Sequence, residues 1–298
     1  MNDYKQYSLQ EIKCEVLRTL LYFDLFSYPL STSEIHLFLQ IPIQNTKQID
    51  AAIRALVSER TVFQFNEVYS IQSKVAELHK EREENTQRAH QYWEKAEIYG
   101  KIIASFPFVK AVFISGSLSK NQVPVNGDID YFLICSANRL WIARLLLMLF
   151  KKVFLKNKHT YFCINYLIDD ISFEISPQNI FTATELKTLV PTYGHNYYDN
   201  LMQNNTWSNA FLPNYCSRNI YSGVNPYSTF LKRLFEHLIS IFGAPLNQFI
   251  FKQWKRYDEK KYPGQIFHLT PHLASHHIVN RQDSIPVILE KRINEIPQ

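Results

Sequence analysis

Glycine is scarce in this chain, with seven residues among 298. So few leave little room for flexible linkers, and each one invites a local reason for its presence. Cysteine is scarce as well. The four thiols, at 14, 135, 163 and 216, show neither metal-type spacing nor the density of a disulfide scaffold, so reduced thiols and a cytoplasmic location are expected. Long apolar runs are missing: the longest, Leu140 to Phe150, is interrupted by Arg144 and is too short for a bilayer. The opening MNDYKQYSLQEIK carries no apolar signal core, so no membrane partner is expected. Charge of one sign is not in large excess; a net +5 admits a nucleotide or a polyanion without demanding one. What the chain does have is apolar mass, 46% hydrophobic and 14% aromatic, enough for two or three modest cores.

The most informative stretch runs from Val109 to Ile134, VKAVFISGSLSKNQVPVNGDIDYFLI. An apolar run, Ala111 to Ile114, ends at Gly116-Ser117, and a second, Tyr131 to Ile134, follows Asp128-Ile129-Asp130. Period-two alternation predicts that Asp128 and Asp130 share one face of a strand. Two carboxylates so close ionise together cheaply only when a cation compensates them. Gly116 lets backbone approach a ligand, and Ser117, at an expected helix start, adds a hydroxyl and an N–H suited to phosphate. A phosphate cradle beside paired carboxylates reads as a site for metal-assisted nucleotidyl transfer.

This arrangement resembles the nucleotidyltransferase superfamily that includes the DNA polymerase beta palm. Its signature, apolar-Gly-Gly/Ser, a spacer of about ten, then acid-apolar-acid, is met here by Ile114-Ser115-Gly116-Ser117 and Asp128-Ile129-Asp130-Tyr131. The resemblance implies Mg²⁺ (or Mn²⁺) on Asp128 and Asp130, and a nucleoside triphosphate as substrate and partner. Gly116, Ser117, Ser119, Lys120 and Asn165 would lie on the nucleotide, and an unknown hydroxyl acceptor would receive the nucleoside monophosphate. The superfamily commonly places a third carboxylate on a later strand. The position that corresponds best is Asn165, an amide, so Glu174, on the expected strand Ile171 to Ile175, is read as the third catalytic acid beside Asp128 and Asp130.

Around this core the chain divides into residues 1–73, 74–178 and 179–298. Capping boxes Ser8/Glu11 and Ser31/Glu34, a third helix from Thr46 to Ser58 and a hairpin around Asn66-Glu67 resemble a winged helix. Residues 31–71 are then the candidate DNA contact, but their few basic and amide side chains make a structural or protein-contacting role the leading reading. A long polar helix from Lys74 to Ser105 bridges to the core. After it comes a helix to about Leu155, where Arg139 and Arg144 read equally as phosphate contacts or interface ion pairs and Lys151, Lys152, Lys156 and Lys158 suit the helix dipole. Thr182 with Glu185 reads as another capping box, opening an α-helical C-terminal region. Within His268, His272, His276 and His277, the pair 272/276 has helical metal-ligand spacing without a third ligand nearby. The phrases FPFVKAVFISGSLSK, GDIDYFLI, CINYLI and NIFTATEL also resemble bacterial proteins that join a winged-helix-like N-terminus to a nucleotidyltransferase domain. The expected fold is thus α/β (α+β): a mixed-sheet nucleotidyltransferase core between a winged-helix-like module and a helical C-terminal region. Two rival readings keep this fold: an inactive nucleotide-binding sensor or scaffold, and a DNA-binding regulator.

Overall fold

The computed structural model describes residues 6–216, 223–264, 267–275 and 281–295. It is a mixed α/β chain. At the start, the Ser8 hydroxyl accepts the Glu11 N–H while the Glu11 carboxylate accepts the Ser8 N–H, and this capping box opens α1 (Leu9–Asp24). Ser31 and Glu34 repeat the device after β1 (Leu30–Ser31) and open α2 (Thr32–Phe38). Next come α3 (Thr46–Ser58), β2 (Phe63–Phe65) and β3 (Val68–Ser70). Because β1 also pairs with β3, the expected hairpin is a three-stranded antiparallel sheet of order β1-β3-β2. The long bridging helix is α4 (Val75–Ala104).

The second sheet starts with β4 (Val109–Ser115) and β5 (Asp130–Cys135), an antiparallel pair. α5 (Leu140–Phe154) then carries the chain to β6 (Cys163–Asp169), which lies parallel to β5, a pairing that requires a crossover of this kind. Beyond it lie α6 (Ile180–Lys187), β7 (Val190–Tyr193), α7 (His195–Asn204), α8 (Ser208–Phe211), α9 (Thr229–Ser240), α10 (Gly243–Lys261), β8 (His268–Thr270), β9 (Leu273–Ser275) and α11 (Arg281–Asn294). The strand order is β7-β4-β5-β6-β9-β8. This corrects the purely helical C-terminal region, since three strands of the sheet come from beyond residue 178. Strands of three or four residues, one of them holding Pro191, carry too little period to be read. The expected strand Ile171 to Ile175 is also corrected. Asn205 accepts the Ile175 N–H and donates to the Phe173 carbonyl, taking the backbone groups a ladder would need.

Alternation along β4 and β5 divides the core between two faces. Val112, Ile114, Tyr131 and Leu133 pack toward α4, α5 and α10, while Ala111, Phe113, Phe132 and Ile134 pack toward α6 and α7. The N-terminal helices gather on Val16, Leu20, Ile49 and Ile53, and the same cluster takes in Ile180 and Ala183 of α6 and Ile285 and Leu289 of α11.

Candidate functional site

β4 ends at Ser115, which lies opposite Asp130 in the β4–β5 register, and the chain turns away through Gly116 at φ +64°. A Cβ on Gly116 would sit 2.2 Å from Asp130 Oδ2, so the loop can lie against this carboxylate only because residue 116 has no side chain. The helix start expected at Ser117 is a single 3-10 turn, Leu118–Lys120, closed by Asn121 at φ +56°. Its side chains fold back on the loop. The Ser119 hydroxyl donates to the Gly116 carbonyl at 2.8 Å and Lys120 Nζ donates to the same oxygen at 3.0 Å.

The second strand begins at Asp130, so Asp128 belongs to the irregular segment before it and not to the strand face. The structure nevertheless brings them together: one ligand atom each from Asp128, Asp130 and Cys163 lie within 4.8 Å of one another. Asn165 reaches the pair through an irregularity. The β5–β6 register runs from Tyr131–Ile164 to Phe132–Tyr166, leaving Asn165 as the extra residue, and its amide donates to Asp130 Oδ1 at 3.0 Å. Burial, then Asp128, then Glu185 push the Asp130 carboxyl up to about 7. Burial and the two aspartates also raise the Cys163 thiol, which keeps it protonated. Lys151 and His159 meet at 2.7 Å; burial pulls both below their ordinary values, and the Asp128 charge opposes that on each.

Glu185 is the residue that the sequence reading missed. The box at the start of α6 is made by Asn179 and Thr182, which frees Glu185, one helical turn on, for the site. Asp130 has the strand parity of Phe132 and Ile134, whose side α6 covers, so this helix can deliver an acid to the loop. Glu185 Oε2 accepts the Gly116 N–H at 3.2 Å, and Oε1 pairs with Lys120 Nζ at 2.8 Å. Its signal in the sequence, the acid of NIFTATEL, has the spacing of a capping box with Thr182 and so reads as a cap.

Other expectations fall elsewhere. Glu174 is exposed on coil and hydrogen-bonds Gln178 at 3.3 Å; with no strand to aim it, the acid that acts on Asp130 from outside the pair is Glu185. Arg144 is buried against the Trp141 and Trp254 rings, with the charge of Asp258 opposing the effect of its burial. Arg139 lies over the Phe108 ring. Lys151 is buried and faces His159, a larger role than satisfying a helix dipole. His272 sits in the β8–β9 turn and holds Asp169 at 2.7 Å through Nδ1, so it is not a helical metal ligand; His276 and His277 lie outside the described residues. Among the described residues no helix is long and apolar enough to cross a membrane.

Compared with known proteins, the chain matches no family model, no curated protein and no solved structure. Two carboxylate oxygens suit a hard divalent cation, and the Asp130 carboxyl is raised first by burial and then by the charges of Asp128 and Glu185. Asp128, Asp130 and Cys163 together could hold a metal ion, and the two carboxylates among them suit a hard one such as Mg²⁺ or Mn²⁺.

Proposed function

We propose that this chain is a metal-dependent nucleotidyltransferase that moves a nucleoside monophosphate from a nucleoside triphosphate to a hydroxyl acceptor. The observation that carries the reading is the Gly116 loop lying directly against Asp130, with Asp128 alongside. In this reading the N–H groups of the loop, with Lys120 and Ser119 behind them, hold the phosphates, and Asp128 and Asp130 hold Mg²⁺ or Mn²⁺. The cation would supply Lewis-acid activation of the acceptor hydroxyl and charge stabilisation of the leaving pyrophosphate. Asn165 orients Asp130 by donating to the oxygen farther from Gly116. The N-terminal three helices and three-stranded sheet serve as a winged-helix-like module that supports the core.

Pyrophosphate release from each of the four triphosphates, with Mg²⁺ and with Mn²⁺, tests the reaction. Melting with and without cation and triphosphate tests the site even when the acceptor is missing. Wild type is expected to gain several degrees, since binding to the folded form alone stabilises it, and Asp128→Asn to gain little. Equal gains in both proteins would place the nucleotide elsewhere; a gain without turnover on any acceptor would favour a nucleotide sensor.

Glu185 makes a separate prediction. Its carboxylate sits on the two groups that a phosphate would use, the Gly116 N–H and Lys120. A nucleotide must displace it. Glu185→Gln keeps the acceptor for Gly116 but removes the competing charge, so triphosphate affinity, measured by calorimetry with Mn²⁺, is expected to rise about threefold to tenfold, the size of roughly one ordinary net hydrogen bond. Weaker binding would instead make Glu185 a ligand of the cation.

A further inference from the structure

α9 is packed inside out. Leu231, Leu234, Phe235 and Leu238 of α9 fall on one arc of a helical wheel, which Ile241 and Phe242 of the turn after it extend, and an amphipathic helix ordinarily buries such an arc. Here every one of them is exposed, from 43% at Leu234 to 75% at Ile241. The opposite arc is the one that docks. Lys232 is buried, its amine donating to the Ala104 carbonyl at 2.8 Å and the Val109 carbonyl at 2.5 Å. Glu236, one turn on, accepts the Phe108 N–H at 2.7 Å. Those contacts fix the helix orientation by charge-assisted bonds to backbone, so the apolar arc does not face water by a loose rotation of the helix.

We infer that this outward arc of α9 is an interface between two copies of the chain. Six side chains of this size leave roughly 600 Å² of apolar surface in water, at the upper limit for a single patch on a monomer and most of the way to the ~800 Å² per partner of a stable interface. The arc itself contains no charged residue, and a two-fold axis through it lays the same stripe against itself, the self-complementary contact that most soluble homodimers use. A lipid surface is the less suited occupant. Interfacial helices usually carry several basic residues beside the apolar face, whereas the exposed Lys and Arg of α9 reduce to Arg233. The inference does not depend on the nucleotidyltransferase reading.

Sedimentation and light scattering of the full chain between about 0.5 and 50 μM test it. Wild type is expected at about twice the 35.2 kDa of one chain in the upper part of that range. Leu234→Glu with Leu238→Glu places charge on the exposed arc only, and it should shift the species to one chain with an unchanged circular dichroism spectrum and at least a hundredfold weaker association. Arg233→Ala, beside the arc, should leave the dimer in place. A wild type that stays monomeric throughout, or a dimer that tolerates the paired glutamates, overturns the inference. Flotation of a monomeric wild type with vesicles of phosphatidylcholine and phosphatidylserine would overturn it in favour of a membrane surface.

Discussion

Asp130→Asn is expected to stabilise the cation-free protein above pH 7 and to abolish its response to divalent cation and triphosphate. The carboxyl of Asp130 is pushed from 3.8 up to about 7 in the fold, chiefly by burial and then by the charges of Asp128 and Glu185. Between about pH 4 and pH 7 the folded chain therefore holds a proton that the unfolded chain has lost. Stability falls as pH rises through that window and is level above it. At pH 8 the ionised carboxylate costs on the order of 4 kcal/mol, each pKa unit being worth about 1.4. Asparagine keeps an oxygen for Asn165 and carries no charge, so melting of the variant should lack this slope and exceed wild type by several degrees at pH 8. Under the proposed nucleotidyl transfer, with Asp130 holding the cation, turnover should drop at least ~10³-fold. A variant that melts well below wild type at pH 8 would make the carboxylate a structural acceptor, and the catalytic reading would fall with it.

Gly116→Ala is expected to damage the same site with the opposite sign in the absence of cation. The new Cβ meets Asp130 Oδ2 at 2.2 Å and Cγ at 3.1 Å, and φ +64° is itself costly for alanine. The strain of the left-handed backbone and the displaced carboxylate together should cost about 2–4 kcal/mol, read by denaturant midpoint, with cation-dependent stabilisation lost. The two parts separate in a double-mutant cycle. Asp130→Ala removes Oδ2 and Cγ and leaves only Asp130 Cβ, at 3.2 Å. In that background Gly116→Ala should cost only the backbone part, about 1 kcal/mol. Additive costs would show that the carboxylate does not lie against the loop in solution.

Much of this site was legible because strand alternation and spacing act locally. The apolar runs around Gly116 and Asp130 predict two strands, and an antiparallel pair brings the end of one to the start of the other. Asn165 entered through the resemblance, although the extra residue in β6 by which it reaches Asp130 is one that no period predicts. What escaped depends on contacts between distant segments. Glu185 carries the same short motif as an ordinary cap, and only the packing of α6 over the sheet shows where it points. Glu174 was assigned to a strand by alternation, but Asn205 claims the backbone of that segment from 30 residues away. The strands β7, β8 and β9 are too short for a pattern, and their pairing comes from edges that β4 and β6 leave open.

Those borrowed edges bear on how the chain is made. β6 is complete at Asp169, yet its outer neighbour β9 begins at Leu273, and Asp24 of α1 meets its partner Arg292 only when α11 has been synthesised. A ribosome making about 5–20 residues per second leaves the open edge of β6 waiting for several seconds. During that interval an unpaired strand rich in Ile and Leu is a template for other nascent chains. Expression at lower temperature, or with a chaperone that holds exposed strands, should therefore raise soluble yield. A fragment cut after residue 178 should aggregate, since it keeps the exposed edges and loses the strands that cover them.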